Sequence, residues 1–286
     1  MFGIVSGVGV DSRNRVYVFH RAGRTWPDSD KLDTKPISRY TVQIFDGSTG
    51  KLAGQWGKDC FAMPHGLTVD AEDNVWLTDV ALQQVYKYSR DGRMLMTLGE
   101  RGVAGDDYSH FNRPTDVAVA TDGSFYVSDG YINSRVLRFG RDGKFVLKWG
   151  TKGSGPGQFD LPHGIALDKN GRVYVADRSN RRVQVFSGDG RFIAEWKDPS
   201  MGRPYDVAIG SDGLAYVADG GDSPKEPPDR SGVAVLRLDG TLVEQFGRFG
   251  FYDGQFYRAH DLAVGKDGAV YVGDAGERVQ KFVRSR

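Results

Sequence analysis

The chain has 286 residues, enough to bury a large core, and its 39% hydrophobic and 26% charged residues are typical of a globular protein. Its 38 Lys and Arg against 37 Asp and Glu leave a net charge of +1, which excludes a strong field for nucleic acid or an anionic membrane. The single cysteine, Cys60, excludes an internal disulfide framework.

The sequence carries no membrane or targeting signal. It has no run of about 18 apolar residues that could span a bilayer. Residues 1–10 lack a basic start and a long apolar segment, so no secretory signal is visible. The location is left unknown: we expect a cytoplasmic protein if the chain is complete, and a secreted or periplasmic one if a leader was removed.

A repeated phrase divides the chain into six units, and such repeats decide the fold before any other feature. Each unit opens with a short strand whose second position, which we call the ring slot, varies from unit to unit. Successive ring slots are separated by 59, 50, 48, 42 and 55 residues. In chain order, the ring slots are Ser6, His65, Thr115, His163, Tyr205 and His260.

A second phrase follows in each unit, with alternating β-formers that end in a fixed residue. A third strand, an Asp-Gly turn and a fourth strand ending in Trp-Gly or Phe-Gly come next, which is typical of an antiparallel meander. The first unit ends its second phrase in His20. The other five end it in aspartates, Asp79, Asp129, Asp177, Asp219 and Asp274.

Four strands in each unit predict the blade of a β-propeller. We therefore predict an all-β fold, a single six-bladed β-propeller domain over residues 1–286, whose repeats resemble NHL repeats. The last unit reaches only its third strand, so the final blade is expected to be short. Insertions at residues 24–38 and 220–231 are predicted to form surface loops.

Three of the five histidines occupy the ring slot, in blades 2, 4 and 6. The first strand of every blade lines the propeller channel, so these imidazoles should approach the axis about 120° apart. Three histidines that leave one position open are typical of a zinc site. The alternative is that each is a buried structural histidine, which is the interpretation we favour for His20 and His110.

The second strand runs antiparallel to the first, so its end should lie at the same mouth as the ring slots. Arg21, Tyr131 and Arg178 follow that end in blades 1, 3 and 4. The two arginines favour a substrate with a carboxylate, and the tyrosine is a candidate base. The alternative for each arginine is a surface salt bridge. The strand-ending aspartates share one position, which favours repeated turn caps over a metal site.

The motifs at residues 19–21, 77–82, 113–119, 128–135 and 176–180 resemble the lyase domain of peptidylglycine α-amidating monooxygenase, the peptidyl-α-hydroxyglycine α-amidating lyase. The resemblance implies a six-bladed propeller with a catalytic zinc ion held by His65, His163 and His260. It also implies catalytic roles for Tyr131, Arg21 and Arg178. A structural calcium ion is implied at the side chain of Asp261 and the backbone carbonyls of Val8 and Leu67.

The resemblance further implies a carbon–nitrogen lyase that cleaves a C-terminal peptidyl-α-hydroxyglycine, an N-acyl hemiaminal acid, to an amide and glyoxylate. The expected partner is then a small molecule or peptide that bears a carboxylate. No nucleic acid or membrane partner is expected, and the protein is expected to be a monomer. A metal-dependent hydrolase or lactonase on the same propeller and a non-catalytic NHL interaction module are the alternatives.

The chain departs from the family pattern at several positions. The conserved cysteines of the family fall on Ile132, Tyr174 and Val185, so its disulfides are absent. A Met-Pro pair before the last histidine is replaced by Arg258 and Ala259, which would place a positive charge near the pocket. No copper monooxygenase domain accompanies the lyase sequence in this chain.

Overall fold

The structure, a computed structural model, describes residues 2–27, 31–222 and 227–284, and the regular elements of these residues are 23 β-strands. The strands form six antiparallel sheets, five with four strands and one with three. The predicted six-bladed all-β propeller is confirmed. No helix in the described ranges is long and apolar enough to cross a membrane.

Each blade takes its strands in chain order from the channel outward. Blade 1 holds β1 (Val5–Val10), β2 (Arg15–His20), β3 (Val42–Asp46) and β4 (Leu52–Trp56). Blade 2 holds β5 (Pro64–Val69), β6 (Val75–Asp79), β7 (Gln84–Tyr88) and β8 (Met94–Leu98). Blade 3 holds β9 (Pro114–Val119), β10 (Phe125–Asp129), β11 (Arg135–Phe139) and β12 (Phe145–Trp149).

Blades 4 to 6 repeat the same order. Blade 4 holds β13 (Pro162–Leu167), β14 (Val173–Asp177), β15 (Arg182–Phe186) and β16 (Phe192–Trp196). Blade 5 holds β17 (Pro204–Ile209), β18 (Leu214–Asp219), β19 (Gly232–Arg237) and β20 (Leu242–Phe246). Blade 6 holds β21 (Ala259–Val264), β22 (Val270–Asp274) and β23 (Arg278–Phe282), so its three strands match the short final blade expected from the sequence.

Apolar side chains fill the space between neighbouring blades, because both faces of each sheet are covered. Six separate clusters of buried side chains lie at the six blade boundaries. The last boundary closes the ring, where Val5, Val8 and Val18 of blade 1 pack with Ala269 and Tyr271 of blade 6. The six first strands therefore stand side by side around the channel, with β21 next to β1.

The Asp-Gly turns explain the tryptophans that recur in the sequence. Gly190 has a φ of 82°, a left-handed conformation that favours glycine in a tight turn. A Cβ atom on Gly190 would lie 2.9 Å from the ring of Trp149, which ends the fourth strand of the preceding blade. Gly240 stands in the same relation to Trp196, at 2.4 Å. The turn of one blade thus rests on the tryptophan of the blade before it.

The strand-ending aspartates tie the second strand of a blade to the segment that leads into its first strand. In blade 2, Asp79 accepts backbone hydrogen bonds from Ala62 and Met63 on the incoming segment and from Ala81 and Leu82 beyond the strand. Equivalent bonds reach Asp129, Asp177, Asp219 and Asp274. The interpretation of these aspartates as caps is confirmed.

The two predicted insertions are only partly described. Residues 28–30 and 223–226, which include Pro224, lie outside the described residues. Half of the described residues of the first insertion are exposed, but Ile37 is buried and Trp26 packs on Tyr131 at the channel mouth. In the second insertion, Gly220 and Gly221 are buried against the mouth, so this segment is a surface loop only in part.

Candidate active site

The three ring-slot histidines lie at the starts of first strands, inside local irregularities of the ladder. The pairing register shifts between Pro64 and Leu67 in blade 2 and at the equivalent place in every other blade, including those of His163 and His260. A bulge of this kind turns a side chain away from the regular pleat and can aim it at a site. Here it directs the three imidazoles into the channel.

Small residues beside two histidines let neighbouring first strands approach closely. A Cβ atom on Gly66 would lie 2.5 Å from the carbonyl oxygen of Thr115, and one on Gly164 would lie 2.2 Å from a carboxylate oxygen of Asp206. No real side chain tolerates such contacts, so glycine is required after His65 and His163. The His-Gly pairs of the sequence therefore reflect the narrowness of the channel.

The structure brings the three imidazoles together. Ring centroids lie 4.7 Å apart for His65 and His163, 5.1 Å for His65 and His260, and 5.0 Å for His163 and His260. One ring nitrogen of each lies within 4.8 Å of those of the other two. All three side chains are buried. Their arrangement fits a single ion bound at the axis.

Each histidine is oriented by a bond to the next blade. Nδ1 lies 2.7 Å from the carbonyl oxygen of Thr115 for His65, and 2.6 Å from that of Tyr205 for His163. For His260, the partner is the carbonyl oxygen of Ser6, at 3.1 Å. A carbonyl oxygen accepts a hydrogen bond only, so Nδ1 carries the proton in each ring. The lone pair of Nε2 is then available at the axis, as a metal ligand requires.

Burial keeps these imidazoles neutral. It lowers the pKa of His65 to about 3, and the positive charge of Arg21 adds to the effect. The pKa values of His163 and His260 are also well below the usual value, first through burial and then through the neighbouring His65. Neutral imidazole is the form that binds metals, so the ring needs no deprotonation step before binding.

Tyr131 extends over the histidine ring. Its hydroxyl oxygen lies 3.0 Å from Nε2 of His65 and 3.4 Å from Nε2 of His163. The phenol ring packs on the indole of Trp26, with centroids 4.7 Å apart. The guanidinium of Arg178 lies 5.6 Å from the ring centroid. The hydroxyl is therefore fixed at the atoms that face the axis.

The two predicted arginines flank the histidine ring, and neither forms a salt bridge with a described residue. Arg21 is buried, donates from Nε to the carbonyl oxygen of Pro64 at 3.1 Å, and lies over the ring of Trp26. Arg178 lies 4.6 Å from the ring centroid of Tyr205, and its buried Nε has no hydrogen-bond partner among the described residues. Burial lowers the pKa of Arg21. Neither guanidinium has a described carboxylate within salt-bridge distance, so the described residues do not show the surface salt bridge that was the alternative for each.

These side chains line a pocket of about 590 Å³ at the mouth of the channel. Five arginines face it, and no aspartate or glutamate is among the described residues that line it. The sequence reasoning identified Arg21 and Arg178 and noted a charge at Arg258. Trp26 was not predicted, and Tyr205 was predicted only as a ring slot. The five arginines are Arg21, Arg113, Arg178, Arg203 and Arg258.

The residues of the predicted calcium site lie further along the channel. Asp261, Val8 and Leu67 border one cavity of about 260 Å³, together with Asp116 and Asp206. A carboxylate oxygen of Asp261 accepts the N–H of Val8 at 2.8 Å. Burial raises the pKa of Asp261, and the like charges of Asp206 and Asp116 raise it further. A bound cation would relieve this repulsion.

The remaining histidines stand apart from the ring. His20 is the buried structural histidine that was expected, and its Nδ1 accepts the N–H of Ala22. The same expectation is wrong for His110, which is partly exposed and pairs with Asp107 in a loop. Two of the positions where the family has cysteines are direct cross-strand partners, Tyr174 and Val185. Both are buried, so an apolar pair fills that place in blade 4.

Comparison with known proteins places the chain among amidating lyases. The NHL repeat matches residues 111–139 and 159–186, in blades 3 and 4. Peptidylglycine alpha-amidating monooxygenase of Rattus norvegicus is 37% identical over 292 residues, which cover 96% of this chain and 29% of that protein. Peptidyl-alpha-hydroxyglycine alpha-amidating lyase 2 of Drosophila melanogaster is 33% identical over 308 residues, covering 99% of this chain and 72% of that protein.

A solved structure shares the fold at much lower identity. Streptogramin B lyase superposes with a TM-score of 0.62 and 13% sequence identity, covering 98% of this chain and 93% of that one. At 13% sequence identity, the similarity shows only that the two proteins share the propeller fold. The chain spans less than a third of the rat relative's length, so it corresponds to one part of that longer protein.

Proposed function

Because the chain belongs to the peptidyl-α-hydroxyglycine α-amidating lyase family and is an enzyme of that type, we propose that it cleaves an N-acyl-α-hydroxyglycine to an amide and glyoxylate. The observation that carries the proposal is the position of Tyr131. Its hydroxyl lies at two inward-facing histidine nitrogens, beside arginines and in a pocket whose described lining has no acidic residue.

We propose that the Nε2 atoms of His65, His163 and His260 hold a zinc ion. Three neutral imidazoles with their Nδ1 protons donated to carbonyl oxygens are a donor set that suits zinc and leaves one position open. When bound there, zinc supplies a Lewis acid that lowers the pKa of a neighbouring hydroxyl group. The substrate hydroxyl would lie beside Tyr131.

The proposed roles of the other residues follow from the balance of the reaction. The hydroxyl of the hemiaminal loses its proton, the carbon–nitrogen bond breaks, its electron pair goes to the amide nitrogen, and that nitrogen gains a proton. Tyr131 is the group placed to move the proton. Arg21 and Arg178 bind the carboxylate that becomes part of glyoxylate, because neither has an acidic partner among the described residues.

We also propose a structural calcium ion at Asp261, with the backbone carbonyls of Val8 and Leu67. The support is the shared cavity and the repulsion among its buried carboxylates. Every residue of both proposed sites comes from one chain, so the proposal needs no second subunit and the protein is expected to work as a monomer.

The test combines metal analysis with a turnover assay. We expect about one zinc ion for each chain, and release of benzamide and glyoxylate in equal amounts from α-hydroxyhippuric acid. The absence of glyoxylate from zinc-loaded protein would contradict the lyase proposal. Turnover of lactones or esters instead would indicate a hydrolase on the same site. Substoichiometric metal with no turnover of any of these compounds would indicate an interaction module.

A further inference from the structure

Each blade presents two residues at the mouth of the channel, and an equivalent backbone hydrogen bond joins them in all six blades. The residue two positions before the ring slot, the inner rim position, accepts on its carbonyl oxygen the N–H of a residue just past the second strand, the outer rim position. The donor–acceptor distances are 3.0 to 3.5 Å in the six blades. The inner and outer rim pairs are Ile4 and Arg21, Met63 and Val80, Arg113 and Tyr131, Leu161 and Arg178, Arg203 and Gly220, and Arg258 and Ala275.

In blades 1 and 4 the arginine is at the outer rim position, whereas in blades 5 and 6 it is at the inner rim position. Arg21 and Arg178 are outer rim residues, and each has an aliphatic inner partner. In blade 5 the arginine is the inner residue, Arg203, and its outer partner is Gly220. A Cβ atom on Gly220 would lie 2.1 Å from the ring of Tyr205, so no side chain fits there. Arg258 has the same inner position in blade 6.

The two inner arginines meet at one aromatic ring. The guanidinium carbons of Arg203 and Arg258 each lie 5.8 Å from the ring centroid of Tyr205. Arg178 approaches the same ring, at 4.6 Å. Three guanidinium groups therefore surround one ring, and they make this wall of the pocket positively charged.

Arg203 has hydrogen-bonding capacity that the described residues do not use. Its side chain is buried, with 6% exposure, and Nη1 is buried without a hydrogen-bond partner among them. Burial lowers the pKa of Arg203, and the charges of Arg178 and Arg258 lower it further. A buried donor without an acceptor is costly, and an acceptor from a bound ligand would remove that cost.

We propose that Arg203 and Arg258 form a second anion subsite, which binds a carboxylate on the acyl part of the substrate. The proposal rests on the proposed lyase function, in which Arg21 and Arg178 bind the carboxylate of the hydroxyglycine itself. The substrate class is therefore an α-hydroxyglycine whose acyl group is acidic. An N-dicarboxylic acyl group, or a peptide with Asp or Glu before the hydroxyglycine, has this chemistry.

The test compares two substrates that differ in one charge. N-glutaryl-α-hydroxyglycine carries a second carboxylate, and N-glutaramoyl-α-hydroxyglycine replaces it with an amide of nearly the same shape. We expect kcat/KM to favour the acid by about 10- to 100-fold, the range of a charge-assisted hydrogen bond. The preference should decrease as salt is added if the second carboxylate meets these cations in the partly open pocket.

Substitutions then assign the preference to the two arginines. Arg203→Met and Arg258→Met should each reduce the preference about tenfold, mainly through KM, while turnover of α-hydroxyhippurate changes less than about threefold. Arg258→Lys should keep part of the preference, because the charge remains while the planar fork is lost. Arg191→Met, at an exposed turn, is the matched control and should keep all of it.

Equal kcat/KM for the two substrates in the unaltered protein would overturn the subsite, whether or not the variants fold. If no hydroxyglycine is turned over, the lyase proposal fails by itself, and the subsite is tested by calorimetry with N-glutarylglycine against N-glutaramoylglycine. Tighter binding of the acid, lost in Arg203→Met, would support the subsite in that case. Equal binding would reject it.

Discussion

Two positions of the repeated blade behave in opposite ways. The strand-ending position is aspartate in five of the six blades and caps the same segments in each. The ring slot, on the strand that lines the channel, holds four different residue types, and histidine fills it in alternate blades. The comparison indicates that the constant position maintains the blade, while the varied position builds the site.

The largest expected effect comes from removing one histidine of the ring. His163→Ala should lower kcat/KM for α-hydroxyhippurate about a thousandfold or more, because a Lewis acid supplies several kcal/mol to such a step. Zinc content should fall well below one for each chain. His110→Ala is the matched control, since His110 pairs with Asp107 outside the ring, and it should retain both metal and activity. Full activity with stoichiometric zinc in His163→Ala would disprove the role of the ring.

Tyr131→Phe separates chemistry from metal binding. It removes only the hydroxyl at the two Nε2 atoms, so kcat should fall by about 10²- to 10⁴-fold, the usual contribution of a general acid or base. Zinc content should stay unchanged. Tyr252→Phe, at an exposed position, serves as the control. An unchanged kcat in Tyr131→Phe would assign proton transfer to another group.

The constant position should affect stability rather than chemistry. Asp177→Ala breaks a buried ion pair with Arg182, whose Nε lies 2.8 Å from the carboxylate. We expect the free energy of unfolding to fall by about 3 kcal/mol, because Arg182 loses its buried carboxylate partner and keeps only the more exposed Glu195. Urea unfolding measures the change, and activity of the folded fraction should remain within a few-fold. The exposed Asp142→Ala should unfold like the parent protein. If Asp177→Ala lost zinc without losing stability, the strand-ending position would serve the site rather than the blade.

The smallest effect concerns the one blade whose strand-ending residue is histidine. Burial lowers the pKa of His20 from 6.5 to about 4. Between these two values the unfolded chain binds a proton that the folded chain does not, so stability falls as the pH drops through this window. The expected loss is about 1.4 kcal/mol for each pH unit. His20→Asn should lack this part of the pH dependence in urea unfolding.

His110, which is more exposed than His20, should change the pH dependence of stability in the opposite direction. Its hydrogen bond to Asp107 raises its pKa, so its contribution is largest at low pH and is lost as the pH rises. His110→Asn should therefore weaken the protein at low pH. Parallel pH profiles for His20→Asn and the parent protein would show that folding does not lower the pKa of His20.

The sequence was sufficient to predict the blades and the grouping of the three histidines, because both follow from a repeat that can be aligned residue by residue. It could not reveal that Nδ1 of each histidine bonds to the ring-slot carbonyl of the next blade, since a backbone carbonyl carries no sequence signal. Trp26 lies in an insertion that has no counterpart in the repeat, so nothing aligned it with Tyr131.

Arg203 was missed for a different reason. It occupies the inner rim position, which the repeat does define, two residues before the ring slot. The repeated phrase is recognisable only from the following proline onward, so this position lies outside it. Comparing that column across the blades would have shown arginine in three of six units, Arg113, Arg203 and Arg258.

The closure of the ring has a mechanical consequence. Blade 6 meets blade 1 without a shared sheet, and two consecutive residues bridge this seam: His260 bonds to the carbonyl oxygen of Ser6, and Asp261 to the N–H of Val8. One of them belongs to the proposed zinc site and the other to the proposed calcium site. Separating blade 6 from blade 1 would disrupt both proposed sites at once. The contacts that close the propeller and its proposed metal sites would therefore be lost together, before the strands within each blade separate.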